Sequence, residues 1–103
     1  MKLLPQISLS ILIALSLKPR HGYEIMQQVE EDSQGKILLV PGALYSAIKS
    51  LLDAEYIEEV DQDDARRRHY QLTGKGRLQL NAEMEYFDTT LKLAKQRQVF
   101  GEA

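Results

Sequence analysis

Residues 41–55, PGALYSAIKSLLDAE, decide how the rest of the chain is read. Leu44, Ile48, Leu51 and Leu52 recur at the spacing of one helical face, so that face can be buried. The opposite face carries Ser46, Lys49 and Ser50 with Tyr45 beside them, and no acid before Asp53. Pro41 suits the first helical position, where its missing N–H is not needed and its fixed φ matches the turn. Gly42 leaves the first turn bare, so a large partner can come close to the backbone N–H groups. A helix start with a small, neutral-to-basic outer face suits a phosphate backbone. An ordinary amphipathic helix with a solvated face would look the same from these residues alone; its neighbours decide.

Moving outward, the pattern switches to period two. Tyr56 to Val60 reads as a strand, residues 62–65 (QDDA) as a turn and Arg66 to Leu72 as the return strand. Tyr70 and Leu72 point to one face of that hairpin, His69 and Gln71 to the other. Residues 53–64 carry only acids and residues 65–77 only bases, a local field that the formal net charge of −2 conceals. The arginine triplet Arg66, Arg67 and Arg68 near a hairpin tip is able to clamp phosphate oxygens, each fork taking two. The competing reading is a solvated strand whose arginines compensate the acidic turn.

Upstream, Ile7 to Leu17 is apolar and ambiguous by period; its length and Pro5 favour a buried helix. Lys2 ahead of that run gives it some likeness to a leader peptide. One lysine is a weak basic region, however, serines interrupt the run, and it falls short of the roughly 20 residues that span a bilayer. No membrane association is expected, and the expected location is the cytoplasm. LKPRHG (17–22) breaks the pattern, and a second helix follows from about Tyr23 to Ser33, ended by Gly35. His21, alone before a helix, reads as a capping or packing residue. Lys36 to Val40 is an apolar link with the makings of a small strand.

Downstream, Thr73 is a good N-cap for a last helix, with Gly74 and Gly76 weakening its first turn. Leu80, Met84, Phe87, Leu91 and Ala94 follow a 4,3,4,3 spacing, the seam of a coiled coil. Leu78, Tyr86 and Leu93 add a second apolar flank. So apolar a terminal helix on a chain of 103 residues needs a large surface to pack on, and a second copy of the chain supplies one. The tail 97–103 is expected to fray.

The composition, 44% hydrophobic and 27% charged, is that of a folded globular chain. There is no cysteine, hence no disulfide and no thiolate metal site. Two histidines far apart and no Gly-rich phosphate loop leave no convincing catalytic set, so no enzyme, cofactor or metal is expected.

The order helix, helix, short strand, helix, hairpin, helix is that of a winged helix-turn-helix: mainly α with a small β-hairpin. Residues 1–72 would form the winged unit and residues 73–103 a C-terminal dimerisation helix with its tail. In such a unit the third helix enters the major groove, where base edges carry a full donor and acceptor code. The wing fixes register on flanking phosphates.

Three ordered segments carry a resemblance: His21-Gly22-Tyr23-Glu24, Pro41-Gly42-Ala43-Leu44-Tyr45, and Arg66-Arg67-Arg68-His69-Tyr70 with Leu72-Thr73 and Gly76. Together, over about residues 6–80, they resemble the PadR family of transcriptional regulators. The resemblance implies a dimeric winged-helix repressor bound to a palindromic operator in double-stranded DNA and released by a small molecule or another signal. It implies DNA contacts from Tyr23, Pro41, Gly42, Ala43, Tyr45, Ser46 and Lys49, with Arg66, Arg67, Arg68 and His69 as the wing. A single terminal helix is similar to short-form members, whose dimer interface accepts flat hydrophobic effectors; Tyr86 and Phe87 are candidates for that lining. The alternative is a winged-helix protein-interaction module without DNA binding, which the net acidity motivates.

Overall fold

Local devices in side chain and backbone mark most of the helix ends. The computed structural model describes residues 1–61, 67–97 and 101. Helix α1 (Gln6–Ala14) follows Pro5, and its last carbonyl is taken by Arg20, whose Nε donates to Ala14 O at 2.7 Å. That cation at a C-terminus also opposes the helix dipole. The first helix therefore stops short of Leu17, which is 90% exposed.

Helix α2 (Gly22–Asp32) opens on a capping box: His21 Nδ1 accepts from the Glu24 backbone N–H, and Glu24 Oε1 accepts from the His21 backbone N–H. It closes through Gly35 at φ 80°, whose N–H reaches back to Glu30 O at 2.8 Å. Helix α3 (Pro41–Asp53) starts with Pro41 in its first turn and ends in the same kind of reversal, with Glu55 at φ 64° and Tyr56 N–H on Leu51 O at 3.0 Å. Strands β2 (Ile57–Val60) and β3 (His69–Leu72) form the wing, and β1 (Arg20–His21) pairs with the other edge of β3. The order is β1-β3-β2, all antiparallel, with His21 opposite His69 and Glu59 opposite Tyr70.

The third strand thus comes from residues 20–21 and not from the link at 36–40. With β1 already on that edge of β3, residues 37–40 run on without a ladder. They keep a strand-like alternation, with Leu39 buried and Leu38 and Val40 exposed. The return strand begins at His69, so Arg67 and Arg68 precede the ladder. The turn expected at 62–65, together with Arg66, lies outside the described residues.

One core joins the pieces. Ile11, Leu12 and Leu15 of the first segment pack with Ile25 and Val29 of α2, with Leu44, Ile48 and Leu51 of α3, and with Ile57 and Tyr70 of the wing. Helix α4 (Gly74–Gln96) is rooted here by Thr73, whose Oγ1 accepts from Gly76 N–H at 3.0 Å and donates to Glu55 O at 2.6 Å. Gly76 is a requirement of packing and not merely a weak point, because a Cβ there would overlap the Tyr56 carbonyl.

Leu80, the first residue of the expected seam, sits in the chain's own core at 7% exposure. Glu83 is fully buried beside it, accepting from Leu4 N–H at 3.1 Å and from Gln79 Nε2 at 2.7 Å. Beyond this root the apolar face lies open among the described residues: Met84, Phe87 and Leu91 are 38–45% exposed, and Ala94 is half-buried. Among the described residues no helix is long and apolar enough to cross a membrane.

Candidate nucleic-acid interface

The buried face of α3 (Leu44, Ile48 and Leu51) fixes which face looks outward. Pro41, Gly42, Tyr45, Ser46 and Lys49 are all exposed on it. Ala43 is the exception: it is half-buried and packs against the core, because it leans toward the same side as Leu44 and Ala47. Among the described residues no side chain caps the start of α3, which leaves its first backbone N–H groups open to a partner. Lys49 Nζ pairs with Asp53 at 3.1 Å, both largely exposed. Such an i,i+4 pair is worth only about 0.3–0.5 kcal/mol, so a phosphate can displace it.

Beside this face lies a cleft of about 560 Å³ lined by His21, Gly22, Tyr23, Tyr45, Arg67, Arg68 and Tyr70. Its construction is specific. The Tyr45 ring lies across the start of α2, where only a glycine leaves room, since a Cβ on Gly22 would stand 2.5 Å from the Tyr45 hydroxyl. Tyr23, 60% exposed in the first turn of α2, closes one side. Arg67 closes the other, its Nη1 standing 2.8 Å from His21 Nε2. Arg68 approaches Glu59 of β2 at 3.8 Å, a loose pair with the guanidinium 78% exposed. His69 is half-buried in the ladder, edge-on to His21 at 5.3 Å, so it supports the site more than it faces outward.

Two titrating groups sense this surrounding. Burial pushes the Tyr70 hydroxyl up, and Glu59 and Tyr45 add to that while Arg68 works against it. Burial alone would also push the Glu24 carboxyl up. The His21 backbone N–H and the charges of His21, Lys18 and His69 outweigh burial and hold it below the ordinary glutamate range.

The structure therefore gathers Tyr23, Tyr45, Arg67 and Arg68 into one cleft and sets Ser46 and Lys49 along the adjoining helix. It also adds His21, Gly22 and Tyr70, which sequence reasoning left out of the site. The sequence signals for Gly22 were its place in the break at 17–22 and in the HGYE segment that carries the resemblance. Tyr86 and Phe87 lie elsewhere, on the outer part of α4, ring edge to ring face at 5.5 Å.

A three-helix core with an arginine-bearing wing beside the third helix defines a winged helix-turn-helix. A family model described as the transcriptional regulator PadR-like family matches residues 11–82. The chain belongs to that family of transcriptional regulators. No curated protein matches it in sequence.

Solved structures share the fold. A PadR family transcription regulator from Clostridium difficile is 26% identical, covering 91% of this chain and 99% of its own, with a TM-score of 0.78. A transcriptional regulator from Clostridium thermocellum is 24% identical over 87% of each chain, with a TM-score of 0.76. RosR of H. salinarum is 24% identical over 84% of this chain and 76% of its own, with a TM-score of 0.72.

Proposed function

We propose that the chain is a sequence-specific DNA-binding regulator that acts as a homodimeric repressor in the cytoplasm. The carrying observation is the single cleft that joins Tyr45 of α3, Tyr23 of α2 and the wing arginines Arg67 and Arg68. In this reading α3 enters the major groove with Ser46 and Lys49 toward base edges and phosphates. Pro41 and Gly42 bring the open start of the helix to the backbone, and Arg66, Arg67 and Arg68 clamp the flanking phosphates.

Homodimerisation is assigned to residues 73–103. Met84, Phe87 and Leu91 extend the Leu80 face beyond the domain, and a second α4 in antiparallel or crossed contact would cover them. A palindromic operator follows from a two-fold pair. Tyr86 and Phe87 would border any hydrophobic effector lodged between the two copies.

Selection of bound duplexes from a random pool tests the reading. The expected outcome is a two-fold symmetric site with half-sites about one helical turn apart. Arg67→Ala and Arg68→Ala should each weaken binding to all sequences alike and lower the salt slope by about one. No enriched sequence together with feeble, salt-insensitive binding would sink the proposal and favour a protein-interaction module.

A further inference from the structure

Two donors compete for one imidazole at the rim of the cleft. His21 Nδ1 lies 3.3 Å from the Glu24 backbone N–H that caps α2. Its Nε2 lies 2.8 Å from Arg67 Nη1 and 3.2 Å from Glu24 Oε1. A neutral imidazole has one N–H and one acceptor lone pair. With the proton on Nε2, Nδ1 accepts the cap and Nε2–H stands 3.2 Å from Glu24 Oε1, but the Arg67 N–H then faces another N–H. With the proton on Nδ1, Nε2 accepts from Arg67 and the cap becomes a contact between two donors. A doubly protonated ring accepts from neither. The ring serves one donor at a time.

Resting on the DNA-binding reading above, we infer that His21 is a positioning residue that divides its one acceptor between Arg67 and the α2 cap in the free protein and gives it wholly to the cap once a phosphate draws Arg67 away. The exchange moves one proton from Nδ1 to water and one from water to Nε2, with no net uptake. The ring is well held for this task. It is 9% exposed, braced edge-on by His69 at 5.3 Å, and fixed in the β1–β3 ladder by the His21–His69 pairing. Among the described residues, the charged groups around it include Glu24 from α2 and Arg67 from the wing, with His69 behind. Arrival of DNA at the wing is thereby transmitted to the first turn of α2, where Gly22 and Tyr23 border Tyr45.

The full chain labelled with ¹⁵N-histidine, at about pH 8.5 and so above the ordinary histidine range, reports which ring nitrogen bears the proton. His21→Asn assigns the signals by their loss. The free protein should show the Nδ1–H form in substantial proportion. Addition of a selected duplex should convert it to Nε2–H, and so should Arg67→Ala without any DNA. The Asn variant keeps a capping oxygen but offers Arg67 no ring acceptor. It should bind duplex up to about tenfold more tightly at unchanged salt slope, the most that one net hydrogen bond released can give.

A histidine that only caps would be Nε2–H in all three samples, and that result overturns the inference. So does an Nδ1–H form that persists in the complex. Should the wild-type chain bind no duplex at any salt, it is the DNA reading that fails, while the free-state comparison with Arg67→Ala still decides whether Arg67 is seated on the ring.

Discussion

Gly22→Ala isolates the placement of the Tyr45 hydroxyl. The added Cβ would stand 2.5 Å from that oxygen, 3.1 Å from the ring carbon bearing it and 3.2 Å from Leu44 Cδ2. Leu44 is fully buried and holds its place, whereas Tyr45 is 52% exposed and free to swing on its side-chain torsions. Moving the phenol off a good rotamer costs at most about 1.5 kcal/mol, and alanine's helical advantage over glycine returns up to about 1 kcal/mol. The net change should therefore stay within about 1.5 kcal/mol, a shift in thermal unfolding of no more than about 12 °C for a domain of this size.

DNA affinity should respond far more. A hydroxyl donating to a charged phosphate is worth about 1.5–3 kcal/mol, so displacing it should weaken binding about 10- to 150-fold. Tyr45→Phe removes the same hydroxyl directly. In a double-mutant cycle read by fluorescence anisotropy on a selected duplex, Gly22→Ala should then add almost nothing to Tyr45→Phe. Wild-type affinity for Gly22→Ala, or losses that simply add, would refute the link between the glycine and the tyrosine.

Three further outcomes follow from other parts of the molecule. Gly76→Ala, driven into the Tyr56 carbonyl, should destabilise by about 1–3 kcal/mol in urea titration; Gly74→Ala, whose Cβ meets nothing, should be neutral or stabilising by up to about 1 kcal/mol, and equal effects would discount the close approach. Phe87→Asp should leave monomers in sedimentation velocity at micromolar concentration, and surviving dimers would remove α4 from the interface. The Glu24 carboxyl is held below its usual range when folded, so its contribution is complete above about pH 4.3 and disappears as pH falls through the lowered value. Glu24→Gln should lack that part of the acid limb of stability, and an unchanged acid limb would contradict the assignment.

Much of the framework was legible because burial leaves a periodic trace. Leu44, Ile48 and Leu51 face inward as their spacing dictates, and Thr73 and His21 cap the helices they precede. What escaped is what depends on partners far along the chain. Arg20 and His21 form a strand only because β3 offers an edge 48 residues later, and two residues carry no period of their own. Lys36 to Val40 has the right alternation but joins neither outer edge of the sheet. Leu80 has the seam's spacing yet faces the domain, since spacing sets a face and not its occupant. Glu83 gave no warning at all: a carboxylate in an apolar stretch looks solvated until Leu4 and Gln79 are brought to it. Gly22 was visible as a residue, but its purpose exists only where Tyr45 crosses it.

The root of α4 carries a mechanical consequence. At Thr73 the end of α3, the start of one wing strand and the end of the other are tied to a single joint, through Glu55 O and Tyr56 O. The 23-residue rod that leaves this joint is about 34 Å long. A tilt of about 10° at its base sweeps the tip through about 6 Å, and a force applied at the tip acts on the joint as a torque scaled by the same lever arm. Whatever grips the distal end of the rod thus holds leverage over the angle at which helix and wing are offered to a duplex.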